Sequence, residues 1–142
     1  MNTNTVAPAL AALFAELTQG VPRPGEAYVL NSGDVGLLRS LDKLDAEDAS
    51  NSADGGATIA AHALHLTYGL SLMNQWMREG GDPFANALWD EAWKTSRVDA
   101  ARWQAIRDDL RREIVAWNEA LGDPREVNDA ELTGMVGSIA HL

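Results

Sequence analysis

Six large apolar residues, Trp103, Ile106, Leu110, Ile114, Trp117 and Leu121, recur at steps of 3, 4, 4, 3 and 4. That rhythm follows the turn of an α-helix and lines all six along one stripe, whereas a strand would scatter them over two faces. A helix from about Asp99 to Leu121 must therefore bury this stripe against other elements. Gly122, Asp123 and Pro124 end it, because proline has no N–H to continue the ladder.

The rest of the chain keeps the same period. Val6, Leu10, Phe14 and Leu17 form a first stripe, closed by Gly20 and the Pro22–Gly25 stretch. Asn31, Ser32 and Asp34 offer caps for a shorter helix carrying Leu37, Leu38, Leu41 and Leu44. A long helix is predicted over about Thr58–Arg78, with Ile59, Leu66, Leu70, Met73 and Met77 as its stripe. Gly80 to Pro83 stop it, and a tryptophan-rich link, Phe84–Thr95, follows. A last helix starts near Asp129 and carries Leu132, Met135, Val136, Ile139 and Leu142. Tyr28–Leu30 is the only run with strand character, too short to found a sheet, and Ala46–Gly56 reads as an acidic, glycine-ended loop. Four long helical patterns and a short one predict an all-α fold, an antiparallel helix bundle forming a single domain over 1–142.

Charge and composition narrow the function. Twenty-one acidic residues against 11 basic ones leave a formal charge of −10, the wrong sign for nucleic-acid binding through phosphates. Without cysteine there is no disulfide, thiolate metal site or cysteine nucleophile. No targeting signal and no long apolar span are visible, so a cytoplasmic protein that makes no membrane contact is expected.

Chemistry then falls to three histidines, His62, His65 and His141. At about 100° per residue from Leu66, His62 lies near −40° and His65 near −100°, on the inward side with Gly69 and Trp76. Gly69, one turn from His65, leaves room beside the imidazole, and Trp76 is a candidate pocket wall. An inward histidine serves either as a hydrogen-bonded core residue or as a ligand for a divalent metal. His141 shares a side with Gly134 and Gly137, which suits close helix contact or a cavity wall, the plainer reading being a polar residue at a frayed, exposed terminus. Trp103 and Trp117 belong to a core stripe, while Trp89 and Trp93 are expected to cover the core from the link, an exposed interface pair being the alternative.

The run Thr58–Leu70, TIAAHALHLTYGL, followed much later by Gly134–Leu142, GMVGSIAHL, resembles the DinB-like superfamily. The resemblance covers most of the chain and implies a four-helix bundle in up–down–down–up order with a long crossover, often dimeric. It implies a divalent metal, nickel or zinc, held by one histidine on the second long helix and an HxxxH pair on the last. His65 matches the first ligand and His141 the first of the pair; His62 matches none and reads as structural. The second histidine of the pair would fall beyond Leu142, so the last helix is expected to be truncated, leaving two protein ligands where an open site uses three. Characterised relatives include transferases and isomerases that use low-molecular-weight thiols. The resemblance thus implies a metal-dependent enzyme of that type acting on a small molecule, with no general base identifiable. The alternative is a non-catalytic helical dimer, stress-associated or ligand- or partner-binding, with an incomplete metal site.

Overall fold

The structure, a computed structural model, describes all 142 residues. It is all-helical, with six α-helices: α1 (Ala7–Gln19), α2 (Gly36–Asp42), α3 (Ala46–Ser50), α4 (Ile59–Glu79), α5 (Ala100–Gly122) and α6 (Asp129–Ala140). No strand forms; a lone antiparallel bridge joins Asn2 and Glu126. No helix is long and apolar enough to cross a membrane. The chain divides into two compact units, one comprising Met1–Ser40 with Ala116–Leu142, the other Leu41–Val115.

In the first unit α1 packs against α6. Leu10, Phe14, Trp117, Leu121, Val127 and Met135 are buried. Trp117 satisfies its indole N–H by donating to Ser138 Oγ at 2.8 Å, which lets a large polar-tipped ring go fully inside. α1 ends where the chain crosses itself: Gly20 has φ +93°, and a Cβ there would lie 2.7 Å from the Asp34 carbonyl oxygen. Only glycine fits both that backbone and that approach.

The same unit explains why Tyr28–Leu30 is not a strand. Its backbone N–H groups go to a side chain, with Glu16 Oε1 accepting from Val29 at 2.8 Å and Leu30 at 2.7 Å, and Oε2 accepting from Tyr28 at 3.0 Å. Glu16 is buried, and these backbone donors, Leu30 first and Val29 next, hold its carboxyl below the usual carboxylate range. A segment whose donors are spent on a carboxylate has no ladder left to offer a partner.

In the second unit α4 packs against α3 and against a short 3₁₀ turn at Ala92–Lys94. The segment expected to be a loop folds as α3 followed by a 3₁₀ turn at Ala53–Gly55. α3 is nucleated by a capping box, in which Asp45 accepts from Asp48 N at 2.8 Å and Asp48 accepts from Asp45 N at 3.2 Å. The α5 stripe is buried as its period predicts, from Trp103 through Leu121. Trp103 donates its indole N–H to the Leu44 carbonyl at 2.8 Å.

The α4 stripe is rotated from the expected one. Ala60, Ala63, Leu70 and Asn74 are buried, while Ile59 is 37% exposed. Three small alanines near its start, Ala60, Ala61 and Ala63, permit close packing that hydropathy alone does not reveal. Asn74 goes inside because Glu113 of α5 answers its amide, through the backbone carbonyl at 3.0 Å and Oε2 at 2.8 Å. The charged face of α5 is likewise partly engaged: Arg107 and Arg111 both reach Asp42, the latter at 2.9 Å. In α6 the expected stripe is shallower than its period, with Met135 buried and Val136 exposed.

Candidate functional site

α4 is the element that displays the histidines. Thr58 caps it, with extended backbone and Oγ1 accepting from Ala61 N at 3.1 Å, so the helix begins sharply before the first histidine turn. Gly80, at φ +69°, ends it, with its N–H donating to the Trp76 carbonyl at 2.8 Å.

The Phe84–Thr95 link folds back over this helix and sets an aromatic cluster on its histidine face. The rings of His65 and Trp93 stack at 4.6 Å between centroids and 27° between planes. Trp89 leans against His65 at 5.8 Å. His62, exposed, meets Trp93 edge-on at 5.1 Å. Tyr68 braces the arrangement from below, its ring 5.6 Å from Trp89 and its hydroxyl accepting from Leu88 N at 2.9 Å. The histidine face is therefore paved with indole. Stacked and edge-to-face ring pairs of this kind contribute about 0.5–1.5 kcal/mol beyond their area.

Gly69 and Trp76 take different places. The space over Gly69 holds Trp89, whose Cζ3 would lie 3.7 Å from an added Cβ, an ordinary van der Waals separation. Trp76 shares the angular sector of His65 but lies 11 residues further along α4. At about 1.5 Å rise per residue that is about 16 Å along the axis, so it does not wall the space beside His65. Trp89 and Trp93 are 39% and 40% exposed. They cover the histidines on one side and face solvent on the other.

His141 stands at the C-cap of α6, exposed, its N–H donating to the Gly137 carbonyl at 3.0 Å. It belongs to the Met1–Ser40/Ala116–Leu142 unit and His65 to the Leu41–Val115 unit. No group of three or more histidine, aspartate or glutamate side chains is gathered in a way that could hold a metal ion.

Sequence reasoning missed the feature next to this cluster. Trp93 also lines an open cleft of about 630 Å³ between the loop after α3 and the segment before α5. The visible signal was the run Asn51–Gly56, polar and glycine-rich, of the kind that carries binding groups on a scaffold. Compared with known proteins, the chain matches no family model, no curated protein and no solved structure.

Proposed function

We propose that this chain is a DinB-like protein of the divalent-metal-binding type, a four-helix bundle in up–down–down–up order that works as a cytoplasmic homodimer on a small molecule. The observation that carries the reading is His65, half-buried on the long helix α4 and oriented by the stacked Trp93 ring. Positioned imidazole is the common protein ligand for nickel and zinc. His65 and His141 are the two ligand positions that the sequence resemblance assigns.

Two histidines fall short of three, so the thiol-dependent transferase or isomerase chemistry of the type requires a further donor, for which a second copy is the source in this reading. The chain holds no cysteine, and its thiol must come from a low-molecular-weight substrate. The second reading is a non-catalytic helical protein that binds a ligand or partner. The absence of any gathered three-donor group favours it.

Elemental analysis after loading with nickel or zinc separates the two, run beside sedimentation to fix the oligomeric state. The metal reading expects stoichiometric metal in the wild type, lost in His65→Ala and in His141→Ala. Metal-free wild type, or metal that survives both substitutions, leaves the non-catalytic reading.

A further inference from the structure

The cleft beside Trp93 has two walls. One is the loop Asn51–Ala57; the other is the segment Thr95–Arg97. They are tied together at two points. Ser50 Oγ accepts from Val98 N at 3.0 Å, and Thr58 Oγ1 donates to the Thr95 carbonyl at 3.4 Å. The cleft is thus a feature of the folded chain, held at its floor by hydrogen bonds that span 48 and 37 residues of sequence.

Its polar groups are of two kinds. Ser50 and Thr58 are spent on structure. The side chains of Asn51, Ser52, Ser96 and Arg97 line the cleft and make no hydrogen bond or ion pair within the protein. No carboxylate lines it, although the chain carries a charge of −10. Of the acids near it in sequence, Asp54 belongs to the same loop but not to the lining, while Asp48 accepts from Asp45 N, Asp99 from Arg102 N at 2.7 Å, and Glu91 pairs with Lys94. Arg97 is the one charged residue of the lining, and Trp93 its one ring.

Each of these features names part of a ligand. An unpaired guanidinium selects a phosphate or carboxylate through charge-assisted hydrogen bonds. Neutral amide and hydroxyl groups match the hydroxyls of a polyol, donating and accepting in turn. A half-exposed indole offers an apolar platform with a polar rim. The volume falls in the range of small-molecule sites, and the openness of the cleft suits a polar ligand that keeps part of its hydration.

We propose that this cleft binds a small phosphorylated polyol, a sugar phosphate, with Arg97 on the phosphate, Asn51, Ser52 and Ser96 on the hydroxyls, and Trp93 against the ring carbons. The site is separate from any metal held by the histidines. Because Trp93 also stacks on His65, an occupant of the cleft is read by the same indole that orients that histidine.

The test is a titration of the ¹⁵N-labelled 142-residue protein with glucose 6-phosphate, glucose, inorganic phosphate and adenosine 5′-monophosphate, in the presence of a chelator so that the histidine metal plays no part. Glucose 6-phosphate is expected to shift the amides of Gly55, Gly56 and Ser96 and the Trp93 indole N–H. Arg97→Ala should weaken it about tenfold, with an unchanged far-UV circular dichroism spectrum because this exposed side chain makes no hydrogen bond or ion pair within the protein. Ser52→Ala and Ser96→Ala should each weaken it about threefold. Four outcomes overturn the proposal: no shift at these positions up to about 10 mM ligand; equal binding by Arg97→Ala; inorganic phosphate binding as tightly as the ester, which leaves an adventitious ion only; or adenosine 5′-monophosphate binding more tightly than the sugar phosphate, which replaces the polyol with a flat base.

Discussion

The tryptophans of α5 and those of the Phe84–Thr95 link are the same residue put to opposite uses. Trp103 and Trp117 are buried to the last few per cent, and each hands its indole N–H to a fixed acceptor, the Leu44 carbonyl and Ser138 Oγ. Trp89 and Trp93 are about two-fifths exposed; Trp93 stacks on the His65 imidazole, while Trp89 lies parallel to Phe84 and tilted against His65. The first pair is placed by helical period, so every neighbour along the stripe helps hold it. The second pair sits on an irregular segment, where a ring is held by what it stacks on. Burial of the whole side chain makes a core residue; stacking on one side leaves a surface that can meet a ligand.

The largest effect should come from truncating a stripe residue. Trp103→Ala removes a filled volume and leaves the Leu44 carbonyl without its donor, a loss of about 3–5 kcal/mol in denaturant unfolding. Trp93→Ala should cost about 1 kcal/mol, the loss of stacking plus partial burial. Equal costs at the two positions would erase the distinction between core and cover.

A polar residue on α4 tests the same distinction from within. Asn74 is buried only because Glu113 meets its amide twice, at the backbone carbonyl and at the carboxylate. Asn74→Ala is expected to destabilise by about 1–3 kcal/mol, since it leaves both acceptors short of a partner in a closed site. Glu113→Gln should recover most of the stability that Glu113→Ala loses, because its side-chain amide oxygen can still accept from Asn74, which the alanine methyl cannot.

Tyr28–Leu30, a second irregular segment, adds a pH dependence. Glu16 has its carboxyl depressed by the backbone N–H groups of Leu30, Val29 and Tyr28. A carboxyl with a lowered folded pKa contributes stability that is fully present above its unfolded pKa, about 4.3 for glutamate, and is lost as pH falls through the lower folded value. Acid unfolding of the wild type should therefore steepen below about pH 4.3, with Tyr28–Leu30 amides losing hydrogen-exchange protection first. In Glu16→Gln that pH-dependent component should vanish; an unchanged acid limb would show that the clamp does not hold the segment.

The smallest effect is also the sharpest test of what the link covers. Gly69 sits inside α4 with negative φ, and an added Cβ would meet Trp89 at ordinary contact distance. Gly69→Ala should stabilise by about 0.5–1 kcal/mol through helix propensity and leave the indole environment unchanged in near-ultraviolet circular dichroism. A destabilised Gly69→Ala would mean that the space over Gly69 serves a closer approach than the Trp89 ring makes.

The sequence by itself determined the helices and most of the α5 core. Period, caps and breakers are local, and the 3–4 spacing from Trp103 to Leu121 leaves one surface to bury whatever lies against it. The histidine positions on α4 were also readable, because the angle of a helical side chain follows from its number. Where buried polar groups find partners was not readable. Asn74 is buried because Glu113 stands opposite it, and Glu16 because three backbone donors converge on it. Tyr28–Leu30 has the composition of a strand but is too short to found a sheet, and its backbone donors go to a carboxylate 12 to 14 residues away. The covering of His65 by Trp93, and the cleft on the far side of that ring, were decided only in three dimensions. Irregular segments take their conformation from the contacts they make, and those contacts join residues that no local pattern relates.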